Sequence, residues 1–149
     1  MQPVSNVAKQ RLTRGELAIG MGVRGVRGVE IARVMKTAGF DFLFIDLEHG
    51  STSVETAFQI SVAALDAGIA PLIRVPHGEL ALGTRCLDGG GLGVVIPHVD
   101  TPEQAREIGK GAYNKVRSAH TYGHRAELLQ QVISESLDKV PEPVKNIEL

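Results

Sequence analysis

Three stretches of this chain are apolar almost without a break until their last residues: Phe40–His49 (FDFLFIDLEH), Ala70–Pro76 (APLIRVP) and Gly91–Val99 (GLGVVIPHV). A strand with one wet face alternates polar and apolar residues, whereas a near-continuous run implies burial on both faces, the habit of parallel sheets. A shorter run, Glu16–Val23 (ELAIGMGV), precedes them. Helical patterns stand between the runs. In VEIARVMKTAG, Val29, Ile31, Ala32, Val34, Met35 and Ala38 fall mostly on one face before Gly39. Ser51–Gly68 reads as a helix, with Ser51 or Ser53 as its cap and Glu55 near its first turn. GELALGTRCLDGG reads as a short helix with a glycine exit, and TPEQAREIGKG as a fourth helix, Thr101 capping and Pro102 in first position. Each strand–helix unit takes roughly 25 residues with short connections, which implies parallel strands and right-handed crossovers. A doubly wound sheet and a (β/α) barrel both satisfy this pattern.

In either architecture, side chains that do chemistry gather where strands end and the following loops begin. Asp46, Glu48 and His49 close the second run, Arg74 the third, Pro97 and His98 the fourth. Folding brings these positions to one rim. The neutral imidazole of His49 beside carboxylates suits proton abstraction near neutral pH; a capping network at the start of the next helix is the competing structural role. The planar fork of Arg74, between Ile73 and Val75, suits a carboxylate or an enolate oxygen; an ion pair with Asp46 or Glu48 is its structural alternative. Asp88 precedes three glycines, where a helix end with turn glycines is an equally good reading.

Composition narrows the partners. The 149 residues suffice for one domain with a real core, and 43% hydrophobic with 22% charged residues is ordinary globular usage. A net charge of −1 gives no footprint for nucleic acid. The single cysteine, Cys86, rules out an internal disulfide and suits packing in a reducing compartment. No apolar run approaches membrane-spanning length, and MQPVSNVAKQRL lacks the apolar core of a signal peptide. The expectation is a cytoplasmic domain without nucleic-acid or membrane partners. Two motifs lead elsewhere and are set aside. Gly20–Gly25 (GMGVRG) matches a dinucleotide-binding fingerprint with Asp46 downstream, yet Gly28 interrupts where its helix should run and the preceding strand is very short. HTYGH places His120 and His124 four apart, but Gly123 weakens a helix there and no third zinc ligand is evident, so a polar loop is expected.

Taken together and in this order, AGFDFLFIDLEHG, APLIRVP and LDGGGLGVVIPHVDTPEQA resemble the HpcH/HpaI aldolase and citrate lyase family, in particular its class II aldolases for 2-keto-3-deoxy sugar acids and 4-hydroxy-2-oxoheptanedioate. The resemblance spans roughly residues 8 to 109. It implies a (β/α)8 barrel that assembles into homo-oligomers. It also implies cleavage or formation of carbon–carbon bonds in 4-hydroxy-2-oxo acids, through a pyruvate enolate held on Mg²⁺, Mn²⁺ or Co²⁺. By resemblance, His49 matches the region of the general base. Asp46 and Glu48 match acids around the metal and its waters. Arg74 matches the arginine that binds the 2-oxo acid and stabilises the enolate, and Asp88 an acid that pairs with the base, often across a subunit interface. The partners implied are a small 2-oxo acid and an aldehyde. The family's direct metal ligands, a Glu and an Asp from later strands, have no counterpart in this sequence. The expected architecture is therefore an incomplete TIM-type barrel over residues 1–110, with about four of the eight strands. An unrelated tail over 111–149 follows, its amphipathic helix running from Arg125 to Val140 with Leu128, Leu129, Val132, Ile133 and Leu137 as an apolar stripe. Three roles stay open: an aldolase impaired in this chain; a non-catalytic barrel fragment that serves as an assembly partner or is a truncated gene product; and, more distantly, a nucleotide-binding module at Gly20–Gly25.

Overall fold

A computed structural model describes residues 4–119 and Gln130. The expected tail helix, Gln130 apart, and the His120–His124 pair lie outside these residues. The chain divides into two compact units, Met1–His98 and Val99–Leu149.

The first unit carries one sheet. Its strands β1 (Gly20–Val23), β2 (Phe42–Asp46), β3 (Ala70–Arg74) and β4 (Gly93–Val95) lie in sequence order and all pair in parallel. Helices α2 (Ile31–Thr37), α3 (Val54–Ala67) and α4 (Leu80–Asp88) form the crossovers. Strand order 1-2-3-4 is that of consecutive units in a (β/α) barrel; a doubly wound sheet reverses direction at a switch point. The sequence pattern left both open, and the topology decides for the barrel type.

Register sorts the side chains by face. Leu43, Ile45 and Ile73 are wholly buried, and with Val23, Ala32, Ala57, Ile60, Ala64, Ile69, Val75 and Cys86 they form the core between sheet and helices. The alternate positions, Phe42, Phe44 and Leu72, are only half buried on the opposite face. Asp46 and Arg74 continue that second face, since Phe42 pairs with Ala70, Phe44 with Leu72 and Asp46 with Arg74. Gly20 pairs with Phe42 in this layer, and a Cβ on Gly20 would collide with the Phe42 ring. Cys86 is buried and its thiol pKa is raised by burial, so it packs rather than reacts.

Several local expectations hold and some shift. Ser53, not Ser51, caps α3, its hydroxyl accepting from Thr56 N at 3.1 Å. Replacing Ser53 with alanine is expected to cost about 1 kcal/mol, read as a lower urea midpoint with an unchanged slope. β2 stops at Asp46, not at His49, because the Asp46 carboxylate accepts from the backbone N–H groups of Glu48 and His49 and folds the chain into a turn. A helix not anticipated, α1 (Val7–Thr13), begins at Asn6, whose side chain accepts from Lys9 N. Its Arg11 reaches buried Asp41 at 3.2 Å, and Asp41 also accepts from Ile19 N at 2.9 Å. That pair ties α1 to the end of the sheet where β2 starts.

In the second unit, α5 (Pro102–Ala119) begins with a reciprocal cap. Gln104 N donates to Thr101 Oγ1 at 3.2 Å, and Gln104 Oε1 accepts from Asp100 N and Thr101 N. The helix runs through Gly109 and Gly111, where the sequence suggested an end. Mid-helix glycine costs only about 1 kcal/mol relative to alanine, and no proline stands between Gly111 and Ala119. α5 therefore crosses residue 110 without a break.

Candidate active site

The rim at the C-terminal ends of β2 and β3 is built around a buried carboxylate. Asp46 is fully buried. The fork of Arg74 grips it, Nε donating to Oδ1 at 2.9 Å and Nη2 to Oδ2. The N–H groups of Glu48 and His49 each donate to Oδ1 at 3.0 Å. Arg24, the first residue after β1, brings its Nε to 3.1 Å from Oδ2. Burial pushes the Asp46 carboxyl up, but the Arg74 fork and the two backbone donors outweigh burial and hold it well below the usual carboxylate range. The Asp46 hydrogen bond in turn raises the Arg74 pKa against burial. A carboxyl held low contributes stability above its unfolded pKa of about 3.9 and loses it as pH falls toward the folded value. Urea denaturation is therefore expected to show stability falling below about pH 4, and a shallower fall in Asp46→Asn.

Glu48 sits beside this pair and is less satisfied. Its side chain is only 9% exposed, Arg74 Nη1 lies 3.4 Å from Oε2, and Oε2 has no hydrogen-bond partner. Two imidazoles flank it: His49 Nε2 is 3.6 Å from Oε2, and His98 Nε2 is 3.5 Å from Oε1. His98 carries a positive φ of 52°, a left-handed conformation that strains a non-glycine residue. His77 meets the His98 ring edge to face, with centroids 5.2 Å apart. Phe44 lies under the guanidinium, with Arg74 Cζ 5.6 Å from its ring centroid.

Of the residues singled out from sequence, Asp46, Glu48, His49, Arg74 and His98 come together. Asp88 does not join them within the chain. It lies exposed in the last turn of α4, in a shallow cleft with Phe58, Gln59, Val62 and Asp66, where the chain approaches β4 from the sheet end opposite the rim. The glycines of GMGVRG open no helix: Gly20 and Gly22 lie in β1, and α2 starts only at Ile31. Sequence reasoning missed two rim residues, Arg24 and His77. A signal for His77 existed, since VPH (75–77) follows β3 as IPH (96–98) follows β4.

The rim does not by itself form a metal centre. Among the described residues no three His, Cys, Asp or Glu side chains converge as donors. Both Asp46 oxygens are engaged by cations and backbone donors. Glu48 Oε2 is the one orphaned carboxylate oxygen in this group, suited to accept from a bound water.

A parallel β/α sheet in sequential order, with a buried Arg–carboxylate pair and flanking imidazoles at its strand ends, defines a barrel-type α/β protein with a polar rim site. The family model for HpcH/HpaI aldolase/citrate lyase matches residues 26–140, past the last motif quoted above, and the chain belongs to that family. A 4-hydroxy-4-methyl-2-oxoglutarate aldolase of Hapsidospora irregularis is 39% identical over 108 residues, 71% of this chain and 40% of that protein. A 2-keto-3-deoxy-L-rhamnonate aldolase of Escherichia coli is 34% identical over 105 residues, 70% of this chain and 39% of that protein. The solved HpcH/HpaI aldolase of Desulfitobacterium hafniense aligns with a TM-score of 0.64 at 30% identity, covering 70% of this chain and 40% of that one. The chain thus spans about two fifths of the length of the curated relatives it matches.

Proposed function

We propose that the rim of this chain binds a small 2-oxo acid and supplies the base and the cation for aldol cleavage of 4-hydroxy-2-oxo acids. The observation that carries the reading is Arg74, gripped by buried Asp46 and facing orphaned Glu48 at the strand ends. The Asp46 bonds fix the plane of the guanidinium, and its Nη1 edge faces Glu48. There it pairs with the carboxylate or oxo group of the substrate and stabilises negative charge as an enolate forms. His49, held by its backbone on Asp46, takes the proton of the C4 hydroxyl; the C3–C4 bond then breaks, the carbonyl fragment leaves, and the His49 imidazolium returns that proton to C3 of the pyruvate enolate. The divalent ion that the family resemblance implies would supply further positive charge for the enolate, and Glu48 Oε2 would be placed to hold one of its waters, while the described residues bring no set of direct donors together. Asp88, away from the rim of its own chain, is available to the base of another copy in a homo-oligomer.

The relatives' named activities support the substrate class. The test is pyruvate release from a 4-hydroxy-2-oxo acid in the presence of Mg²⁺ or Mn²⁺. Slow release is expected, 10²-fold or more below a typical turnover of about 10 s⁻¹, because the described residues bring no set of donors for the ion together, and it should vanish in Arg74→Ala. Release undiminished in Arg74→Ala contradicts the site. Ordinary turnover abolished by Arg74→Ala keeps the site but overturns the impairment.

A further inference from the structure

Two arginines share the buried Asp46 carboxylate, and they differ in surroundings. Arg74 is largely enclosed, with 17% of its side chain exposed, and two of its nitrogens are bonded to Asp46. Arg24 approaches Oδ2 through Nε alone, and 66% of its side chain is exposed. Its backbone is held firmly in this position. Arg24 O accepts from Ser51 N at 3.0 Å, and a Cβ on Gly50 would strike that same oxygen, so only glycine lets the β2–α3 loop close on it. The chain thus pins the residue after β1 to the loop that carries Glu48 and His49, yet leaves the outer edge of its guanidinium with no hydrogen-bond partner among the described residues. A single carboxylate already bonded by Arg74 and two backbone donors neutralises this second cation poorly.

Resting on the proposed 2-oxo acid site, we infer that Arg24 is a specificity residue: it binds a second carboxylate, so that the preferred substrates are 2-oxo dicarboxylic acids. One substrate carboxylate or its adjoining oxo group pairs with Arg74 on β3. The distal carboxylate pairs with the free edge of Arg24 on β1. The two guanidiniums converge on Asp46 from different strands, so a ligand lying over Asp46 and Glu48 meets both. A planar fork suits this role, because it accepts a carboxylate through two parallel hydrogen bonds while its Nε stays on Asp46.

The test compares two stable ligands that share the 2-oxo acid head and differ in the distal carboxylate. Binding of 2-oxobutanoate and 2-oxoglutarate to the full chain is measured by NMR titration or calorimetry, in wild type, Arg24→Gln, Arg24→Lys and Arg74→Gln. Wild type is expected to prefer 2-oxoglutarate by about tenfold or more, the scale of one added charge-assisted pair. Arg24→Gln should collapse that ratio to near one, Arg24→Lys should restore part of it, and Arg74→Gln should weaken both ligands. Equal weakening of both ligands in Arg24→Gln, together with a lowered melting temperature, would mean that Arg24 only braces Asp46, and overturns the inference. So does a wild type that binds both ligands equally. If wild type binds neither, the proposed 2-oxo acid site fails as well, a result distinct from binding without preference.

Discussion

Replacing Asp46 with alanine is expected to destabilise the fold by about 3–5 kcal/mol, the penalty for breaking a buried ion pair from one side. Asp46 is wholly buried and accepts from Arg74 twice and from the N–H groups of Glu48 and His49. Its loss strands a nearly enclosed guanidinium next to Phe44 and removes the turn that ends β2. Arg74 would retain only Glu48, at 3.4 Å and without hydrogen-bond geometry. Asp46→Asn keeps the shape and some acceptor capacity and should cost less. Urea unfolding of the three proteins checks the order; an alanine variant within 1 kcal/mol of wild type would mean that the pair contributes little to this fold.

The largest kinetic effect is expected at His49. A positioned base typically contributes about 10²–10⁴-fold, so His49→Ala should slow pyruvate enolisation by that factor while 2-oxo acid affinity changes little. The geometry supports a chemical rather than a packing role. The imidazole is 59% exposed and Nε2 faces Glu48 at 3.6 Å, while the backbone N–H is what bonds Asp46. The capping contribution therefore belongs to the backbone and survives the substitution. A rate unchanged in His49→Ala moves the base elsewhere on the rim, with His98 next in reach of Glu48 at 3.5 Å.

Much of this was legible in the sequence, for a physical reason. Strands buried on both faces write themselves as unbroken apolar runs, so β2, β3 and β4 stand out, and a charge at the end of such a run has nowhere to sit but the rim. That logic located Asp46, Glu48, His49, Arg74 and His98. It could not locate Asp88, whose helix ends at the far side of the sheet before β4 begins. Helix α1 was missed because VAKQRLT carries no apolar stripe; it is held by the Asn6 cap and the Arg11–Asp41 pair, and tertiary pairing leaves no periodic signal. Arg24 was hidden inside a glycine-rich motif whose glycines drew the attention. Two of them serve the sheet instead, lying in β1 where Gly20 makes room for the Phe42 ring. The strained backbone of His98 and its contact with His77 depend on how two loops meet, which no single stretch of sequence encodes.

The most direct measurement is exchange of the pyruvate methyl protons in D₂O, followed by NMR with and without Mg²⁺ or Mn²⁺. It requires only binding of a 2-oxo acid and proton transfer at C3, the two acts assigned to Arg74 and His49, and no second substrate. The methyl signal should decay faster than in buffer with wild-type protein and at the buffer rate with Arg74→Ala, a loss of 10²-fold or more if the arginine stabilises the enolate. Decay at the buffer rate with the wild-type chain, or full exchange in Arg74→Ala, would contradict a 2-oxo acid site on this rim.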